Sequence, residues 1–256
     1  MARPAPYIDP NRPTPKRRPL KAWRHMQNLI ADKEDTAQVF HIIQALNGDS
    51  ARRDLTKFMQ SPNYQAFRDR KTFLPDVLDD HAPLKALPKG TVGRTYVDFM
   101  EREGLTAHGL VKESLEQRET YQQFDDDLLW YVNRLRDSHD MYHILTGYGR
   151  DALGEACLLG FTHSQHGGMG VSFIAYMGAR QIAKVAPSGA RVKAALAEAR
   201  RNGKTAKRLI ELDIESILDR PLDEVRTELN IPKPEIYRQT LQVFMQHNKD
   251  PQLATA

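Results

Sequence analysis

Residues 136–155 read RDSHDMYHILTGYGRDALGE, and this stretch decides the fold class. Its apolar residues recur at helical spacing, and a glycine-containing segment interrupts them. Gly147 and Gly149 can end the first helix and reverse the chain, because glycine accepts positive φ. Asp151 is placed to cap the helix that follows. The stretch therefore predicts an antiparallel pair of helices.

Helical spacing of apolar residues continues outward from this pair, and strand-like alternation is nearly absent. The predicted helices cover residues 23–30, 36–46, 52–60, 64–70, 73–80, 96–100, 125–147, 151–162, 171–184, 189–202, 205–218, 222–229 and 236–247. We predict an all-α fold with a single multi-helix domain over residues 21–250. A disordered Pro- and Arg-rich arm is expected at residues 1–20.

Composition restricts the class of protein. Hydrophobic residues make up 40% of the 256 residues and charged residues 27%, which allows a sizeable core and excludes wholesale disorder. No run approaches the roughly 18 apolar residues that a membrane span needs. The net charge of +4 is modest for a nucleic-acid binder, and we expect no nucleic acid as a partner.

The N-terminal region and the single cysteine bear on location. Positive charge concentrates at residues 16–24, which we interpret as a solvated tail, with a membrane-surface patch as the alternative. Cys157 alone indicates a reducing compartment. Six prolines in the first twenty residues oppose the amphipathic helix of a mitochondrial transit peptide. We therefore expect a bacterial cytoplasmic protein.

Four side chains within the central stretch have metal-ligand chemistry. His139 and His143 are four residues apart, about 40° from each other around a helix, and Asp140 lies about 60° from His143 on the other side. All three project into one sector. Glu155 lies about one turn inside the second helix, and an antiparallel arrangement brings it back towards the histidines.

Two imidazoles and two carboxylates suit Zn, Fe(II) or Mn(II), and ligand type alone does not choose among them. Asp140 is either a direct ligand or an outer-shell partner, and Glu155 is the more distant ligand. The alternative is a partly exposed helix on which the histidines are incidental. His163 and His166 are interpreted as wall or surface residues.

The pattern H-D-x-x-H, followed by eleven residues and Glu, resembles the zinc-type signature of the ubiquinone biosynthesis family called coenzyme Q biosynthesis protein four. Further blocks that resemble the family lie at Leu87–Met100, Arg136–Asp151, Gly203–Leu209 and Pro221–Arg226, so the resemblance covers about residues 20–232. One departure is Asp213-Ile214-Glu215, where the family pattern leads us to expect a tryptophan beside the carboxylate.

The resemblance implies an all-helical, metal-dependent protein that acts on a polyprenylated hydroxybenzoate. The implied reaction is removal of the ring carboxylate at C1, a lyase-type decarboxylation with possible coupled hydroxylation. By position, the metal ligands are His139, Asp140, His143 and Glu155, and the catalytic candidates are Asp140 and Glu155. Zinc is the first choice of metal, with iron or manganese as alternatives, and we expect no organic cofactor.

The resemblance also implies partners. These are a polyprenylated benzoate or quinone-type lipid, other ubiquinone biosynthesis enzymes and the surface of a membrane, which for a bacterial protein is the inner membrane. Apolar positions in residues 236–247 could serve a homodimer as well as a core. Two other functions stay open: a non-catalytic lipid-binding scaffold for the pathway enzymes, and a metallohydrolase, since H-D-x-x-H resembles the peptidase motif H-E-x-x-H.

Overall fold

The computed structural model describes residues 5–13, 15–32, 35, 37–70, 72–116 and 124–249. Its helices are α1 (Pro19–Ala31), α2 (Ala37–Leu46), α3 (Ser50–Phe58), α4 (Tyr64–Asp69), α5 (Leu74–Asp79), α6 (His81–Lys85), α7 (Val92–Glu103), α8 (Ala107–Glu116), α9 (Asp127–Asp137), α10 (His139–Thr146), α11 (Ala152–His166), α12 (Met169–Val185), α13 (Val192–Thr205), α14 (Leu222–Glu228) and α15 (Glu235–Gln246). Extended pairing within these ranges is limited to one isolated bridge between Thr91 and Pro221. The predicted all-α class, with a non-helical arm before the first helix, is confirmed.

The helices belong to two compact units. The first is built from residues 1–13, 51–145 and 207–230, and the second from residues 14–50, 146–206 and 231–256, each within the described ranges. The predicted domain boundaries at residues 20 and 250 stay a prediction. Among the described helices, none combines the length and apolar character that a membrane span requires.

Aromatic side chains fill the core of the first unit around Phe58. The Phe58 ring lies 5.7 Å from Tyr64, 6.1 Å from Phe67, 5.9 Å from Trp130 and 5.8 Å from Tyr131, measured between ring centroids. These rings come from α3, α4 and α9, so the cluster joins the three helices. Large aromatic rings stabilise such a junction because they bury much apolar area at low cost in side-chain entropy.

The described part of the N-terminal arm lies against the start of α9. Arg12 forms two hydrogen bonds of 2.7 Å with the carboxylate of Asp126, and these side chains are 4% and 0% exposed. The Tyr7 backbone N–H donates to Asp127 at 2.8 Å. Burial alone would raise the pKa of Asp126, but Arg12 and the N–H groups of Leu129 and Asp9 lower it overall.

Close backbone approach joins the helices of the second unit. In this unit α11 packs on α13, where a Cβ placed on Gly203 would lie 2.3 Å from the carbonyl oxygen of Phe161. A second cluster packs α1 and α2 on α12 through Met26, Ile42 and Ile174. Glycine at position 203 is therefore required by helix packing.

One predicted helix, at residues 205–218, is wrong. The structure has two short 3₁₀ turns there, Leu209–Glu211 and Glu215–Ile217. The guanidinium of Arg134 donates to the carbonyls of Ile210 and Leu212 at 3.0 and 2.9 Å. In a continuous helix these carbonyls would accept backbone hydrogen bonds. The contact with Arg134 therefore overrides the local helical pattern.

The predicted helix at 125–147 is divided into α9 and α10 at Ser138. The Ser138 hydroxyl donates to the Arg134 carbonyl at 2.8 Å, and a side-chain bond of this kind competes with the helix ladder. Helix α8 was not among the predicted segments.

Replacing Gly203 with alanine should destabilise the protein by about 1–3 kcal/mol, because the new methyl group meets backbone that must move. Gly178→Ala on α12 is the matched control. Its Cβ would meet only the Ala156 methyl at 3.8 Å, so helix propensity should leave stability equal or raise it by up to about 1 kcal/mol. Urea denaturation measures both, and equal effects of the two changes would contradict this packing.

Candidate metal centre

Helix α10 brings His139, Asp140 and His143 together. Each offers one donor atom, and these atoms all lie within 4.8 Å of one another. His143 is 2% exposed and Asp140 is 9% exposed, so the cluster reaches into the interior of the first unit. The structure places these three side chains on one sector of the helix, as predicted.

Contacts on its inner face and at its C-terminal end hold α10 in place. Met141 and Leu145 are fully buried on this helix. The guanidinium of Arg226 donates to the carbonyls of Ile144 at 2.8 Å and Leu145 at 3.0 Å. A cation at a helix C-terminus also interacts favourably with the helix dipole, so Arg226 stabilises the last turn of α10.

Helix α7 supplies an aromatic wall beside the histidines. The Phe99 ring stacks on His143, with 5.7 Å between centroids and 25° between planes. The His139 and His143 rings lie edge to face, 5.0 Å apart. The stack restricts rotation of the His143 ring, which favours one orientation of its donor atom.

Tyr96 precedes Phe99 by three residues on α7 and is completely buried. Burial raises the pKa of its hydroxyl, and the negative charges of Asp140 and Asp79 raise it further. Both aromatic residues fall in the Leu87–Met100 block, but sequence reasoning gave them no role in the site. Their spacing of three was the available signal, because it places them on one face of a helix.

Glu155 belongs to the second unit, in the first turn of α11. The predicted cap is confirmed: a carboxylate oxygen of Asp151 accepts the Gly154 N–H at 2.9 Å. Glu155 is partly exposed, and its Oε1 lies 3.9 Å from Nε of Arg150. The structure thus groups three of the four predicted ligands, and the role of Glu155 stays a prediction.

Close contacts fix the turn before α11. Gly147 has a φ of +77°, as predicted for a chain reversal. The Gly149 N–H donates to the Tyr237 hydroxyl at 2.9 Å, and that hydroxyl donates to Asp151. A Cβ on Gly154 would lie 2.1 Å from the Gly149 carbonyl oxygen. The first turn of α11 therefore has little freedom.

The three grouped residues fit a divalent metal ion. Two imidazole nitrogens and a carboxylate oxygen are common ligands of Zn, Fe(II) and Mn(II). Within the described residues, the carboxylate of Asp140 accepts no hydrogen bond and forms no ion pair. A buried carboxylate is costly unless it is paired, and a bound cation would supply the missing charge.

His163 and a glycine at the start of α12 have structural roles. His163 Nδ1 lies 3.0 Å from the Gly168 carbonyl oxygen, at the turn after α11. On α12, a Cβ at Gly170 would come within 2.6 Å of Ile43 Cα, so this glycine serves close packing on α2.

Most of the chain is similar to known proteins. The model of the family "Coenzyme Q (ubiquinone) biosynthesis protein Coq4" matches residues 30–235. A mitochondrial ubiquinone biosynthesis protein coq4 of Penicillium rubens is 32% identical over 185 residues, 71% of this chain and 61% of the relative. Its counterpart in Aspergillus flavus is 31% identical over 198 residues, 72% of this chain and 61% of the relative. The matched region thus spans about three-fifths of these curated relatives.

A solved structure supports the fold. A Nostoc punctiforme protein, named for a candidate role in ubiquinone biosynthesis, has a TM-score of 0.61 and is 19% identical. The match covers 85% of this chain and all of that one. At this identity the likeness shows the fold alone.

The predicted bacterial cytoplasmic location, at the inner membrane, is wrong. The curated relatives are named as mitochondrial proteins. The proline count of residues 1–20 bears only on whether these residues form an amphipathic helix, and it does not report the compartment.

Purified protein should contain about one divalent metal ion per chain, and His143→Ala should lose most of it because a buried donor is removed. His163→Ala is the matched control, since His163 lies outside the cluster, and it should keep its metal. Elemental analysis of the three proteins, with circular dichroism as a check of folding, measures the difference. Full metal content in a folded His143→Ala would contradict the site.

Proposed function

Because this chain belongs to the coenzyme Q (ubiquinone) biosynthesis protein Coq4 family, we propose that it acts in mitochondrial ubiquinone biosynthesis as a metal-dependent enzyme. The proposed substrate is a polyprenylated hydroxybenzoate, and the proposed reaction removes the carboxylate from ring carbon C1. The observation that carries the proposal is the cluster of His139, Asp140 and His143, in which Asp140 and His143 are buried, a donor set suited to a metal ion.

The proposed reaction breaks the bond between C1 and the carboxylate. Carbon dioxide leaves, and the electron pair of the broken bond takes up a proton at C1. A bound divalent metal with an open position would supply a Lewis acid for the carboxylate or phenolate oxygen. Coupled hydroxylation would replace this proton uptake, and it requires dioxygen as the two-electron oxidant and as the source of the hydroxyl oxygen.

The residues of the chain have two tasks in this proposal, to hold the metal and to exchange protons with the substrate. His139, Asp140 and His143 hold the metal, with Glu155 as the predicted fourth ligand. The Phe99 stack restricts the orientation of the His143 ring. Asp140 and Glu155 are the carboxylates that can exchange a proton with the reacting ring.

The second unit carries an exposed apolar patch that supports membrane docking. On α1, Leu20 is 85% exposed and Trp23 is 49% exposed. The Trp23 ring lies 6.5 Å from Phe173 of α12, and Tyr176, one turn further along α12, is 63% exposed. Leu20, Trp23, Phe173 and Tyr176 are named the α1–α12 patch.

Positive charge borders the α1–α12 patch. Five exposed basic residues lie on or just before α1: Lys16, Arg17, Arg18, Lys21 and Arg24. Aromatic and aliphatic side chains beside basic residues suit the interface of an anionic bilayer, where each Lys or Arg contributes about 1 kcal/mol. We therefore assign this patch an anionic lipid surface as its partner, the phase in which a polyprenylated substrate dissolves.

Glu155→Gln should lower C1 processing about 100-fold or more, because it removes a negative charge while keeping the shape of the side chain. Mass spectrometry of a polyprenylated hydroxybenzoate incubated with the protein follows the loss of carbon dioxide. Glu235→Gln, an exposed change in the same unit, is the control and should keep full activity. Retained C1 processing in folded, metal-bound Glu155→Gln would overturn the catalytic role of Glu155, and absence of C1 processing by the unaltered, metal-bound protein would favour the scaffold function.

Trp23→Ala should weaken binding to phosphatidylcholine vesicles that contain phosphatidylglycerol several-fold, since the exposed ring would no longer enter the interface. The remaining binding should fall as salt is raised. Vesicle co-sedimentation measures both effects. Phe73→Ala, which changes an exposed ring in the first unit, should bind as the unaltered protein does. Equal binding by all three proteins would rule out the α1–α12 patch.

A further inference from the structure

The Tyr96 hydroxyl is a buried polar group without a hydrogen bond. Tyr96 is 0% exposed, and its hydroxyl has no partner within the described residues. Most buried hydroxyls are paired, because an unpaired one forfeits its bonds with water. The unpaired Tyr96 hydroxyl therefore points to a hydrogen-bond partner that it gains only in the metal-bound protein.

Helix α7 presents this hydroxyl to the metal cluster. Phe99, three residues further along α7, stacks on His143. Residues three apart lie on one face of a helix, so Tyr96 and Phe99 face α10 together. Tyr96 therefore belongs to the wall beside the cluster.

Two carboxylates lie within electrostatic range of the Tyr96 hydroxyl, those of Asp140 and Asp79. Asp79 is already occupied, because it accepts hydrogen bonds from the Ala107 N–H at 2.6 Å and the His108 N–H at 2.9 Å, and its carboxylate also pairs with the His108 ring. Asp140 makes no hydrogen bond among the described residues. Asp140 is thus the available acceptor.

We propose that Tyr96 is a positioning residue, whose hydroxyl donates a hydrogen bond to the Asp140 carboxylate when the metal is bound. A carboxylate has two oxygens, and a metal ligand can use one while the other accepts a hydrogen bond. Such outer-shell bonds orient ligands and typically change metal affinity 10- to 100-fold. This inference rests on the proposed metal site.

Tyr96→Phe tests the inference, because it removes only the hydroxyl. Zn²⁺ affinity, measured by competition with a chromophoric chelator, should fall about 10- to 100-fold. The melting temperature of the metal-free variant should stay equal or rise, since an unpaired buried group is removed. The absorption bands of bound Co²⁺ should shift, because the orientation of the Asp140 carboxylate changes.

Tyr131→Phe is the matched control. The Tyr131 hydroxyl donates to Asp54, away from the cluster on α3 and α9. Its loss should lower the melting temperature of the metal-free protein and leave Zn²⁺ affinity unchanged. A merely structural role for Tyr96 would leave Zn²⁺ affinity unchanged, as at Tyr131→Phe.

The outcomes separate this inference from the proposed function. If Zn²⁺ binds the unaltered protein but not His143→Ala, and Tyr96→Phe binds as tightly as the unaltered protein, the role of Tyr96 is overturned and the metal site stands. If Zn²⁺ binds the unaltered protein no better than His143→Ala, both are overturned. Should Tyr96→Phe fail to fold, the ultraviolet difference spectrum of the unaltered protein tests the role of Tyr96 instead. If adding Zn²⁺ leaves the tyrosine absorption unchanged, the inference is overturned.

Discussion

Helix α10 carries two imidazoles and a carboxylate into the interior of its unit, and this burial is the constraint on which the site depends. Ionised groups are expensive to bury unless an opposite charge compensates them. Within the described residues Asp140 has no hydrogen bond or ion pair, whereas other buried carboxylates, such as Asp126 with Arg12, are paired. A cation at the cluster would compensate the charge of the Asp140 carboxylate and would account for two histidines and an aspartate at this place on α10.

The surroundings of α10 follow from the same constraint. Arg226 binds the last carbonyls of the helix, and Phe99 packs on the more deeply buried histidine. The second unit, taken by itself, has a comparable arrangement at α11. There a chain of hydrogen bonds runs from the Gly149 N–H through the Tyr237 hydroxyl to Asp151 and fixes the turn before Glu155. Both segments that carry predicted ligands are therefore held by bonds to backbone groups, which suits sites that need precise donor positions.

Much of this could be predicted from local patterns. The period of apolar residues gave the all-α class, and the spacing of four between the histidines gave their shared sector. The cap at Asp151 followed from a polar residue just before an apolar run. These features depend on residues within one or two helical turns, which the sequence displays directly.

What could not be predicted depends on contacts between distant residues. Arg134 prevents a helix at residues 205–218 by binding carbonyls there, and nothing in that segment signals it. The stack of Phe99 on His143 joins helices far apart in the chain, so spacing within either helix does not reveal it. Asp213 and Glu215, where the family pattern differs, both pair with Arg70, at 2.7 and 2.9 Å.

X-ray absorption spectroscopy at the edge of the co-purified metal tests directly whether His139 and His143 bind it. For zinc, we expect a first shell of nitrogen and oxygen at about 2.0–2.2 Å, with the multiple-scattering signature of two imidazoles. A first shell that contains sulfur, or one without imidazole scattering, would contradict a metal held by His139 and His143.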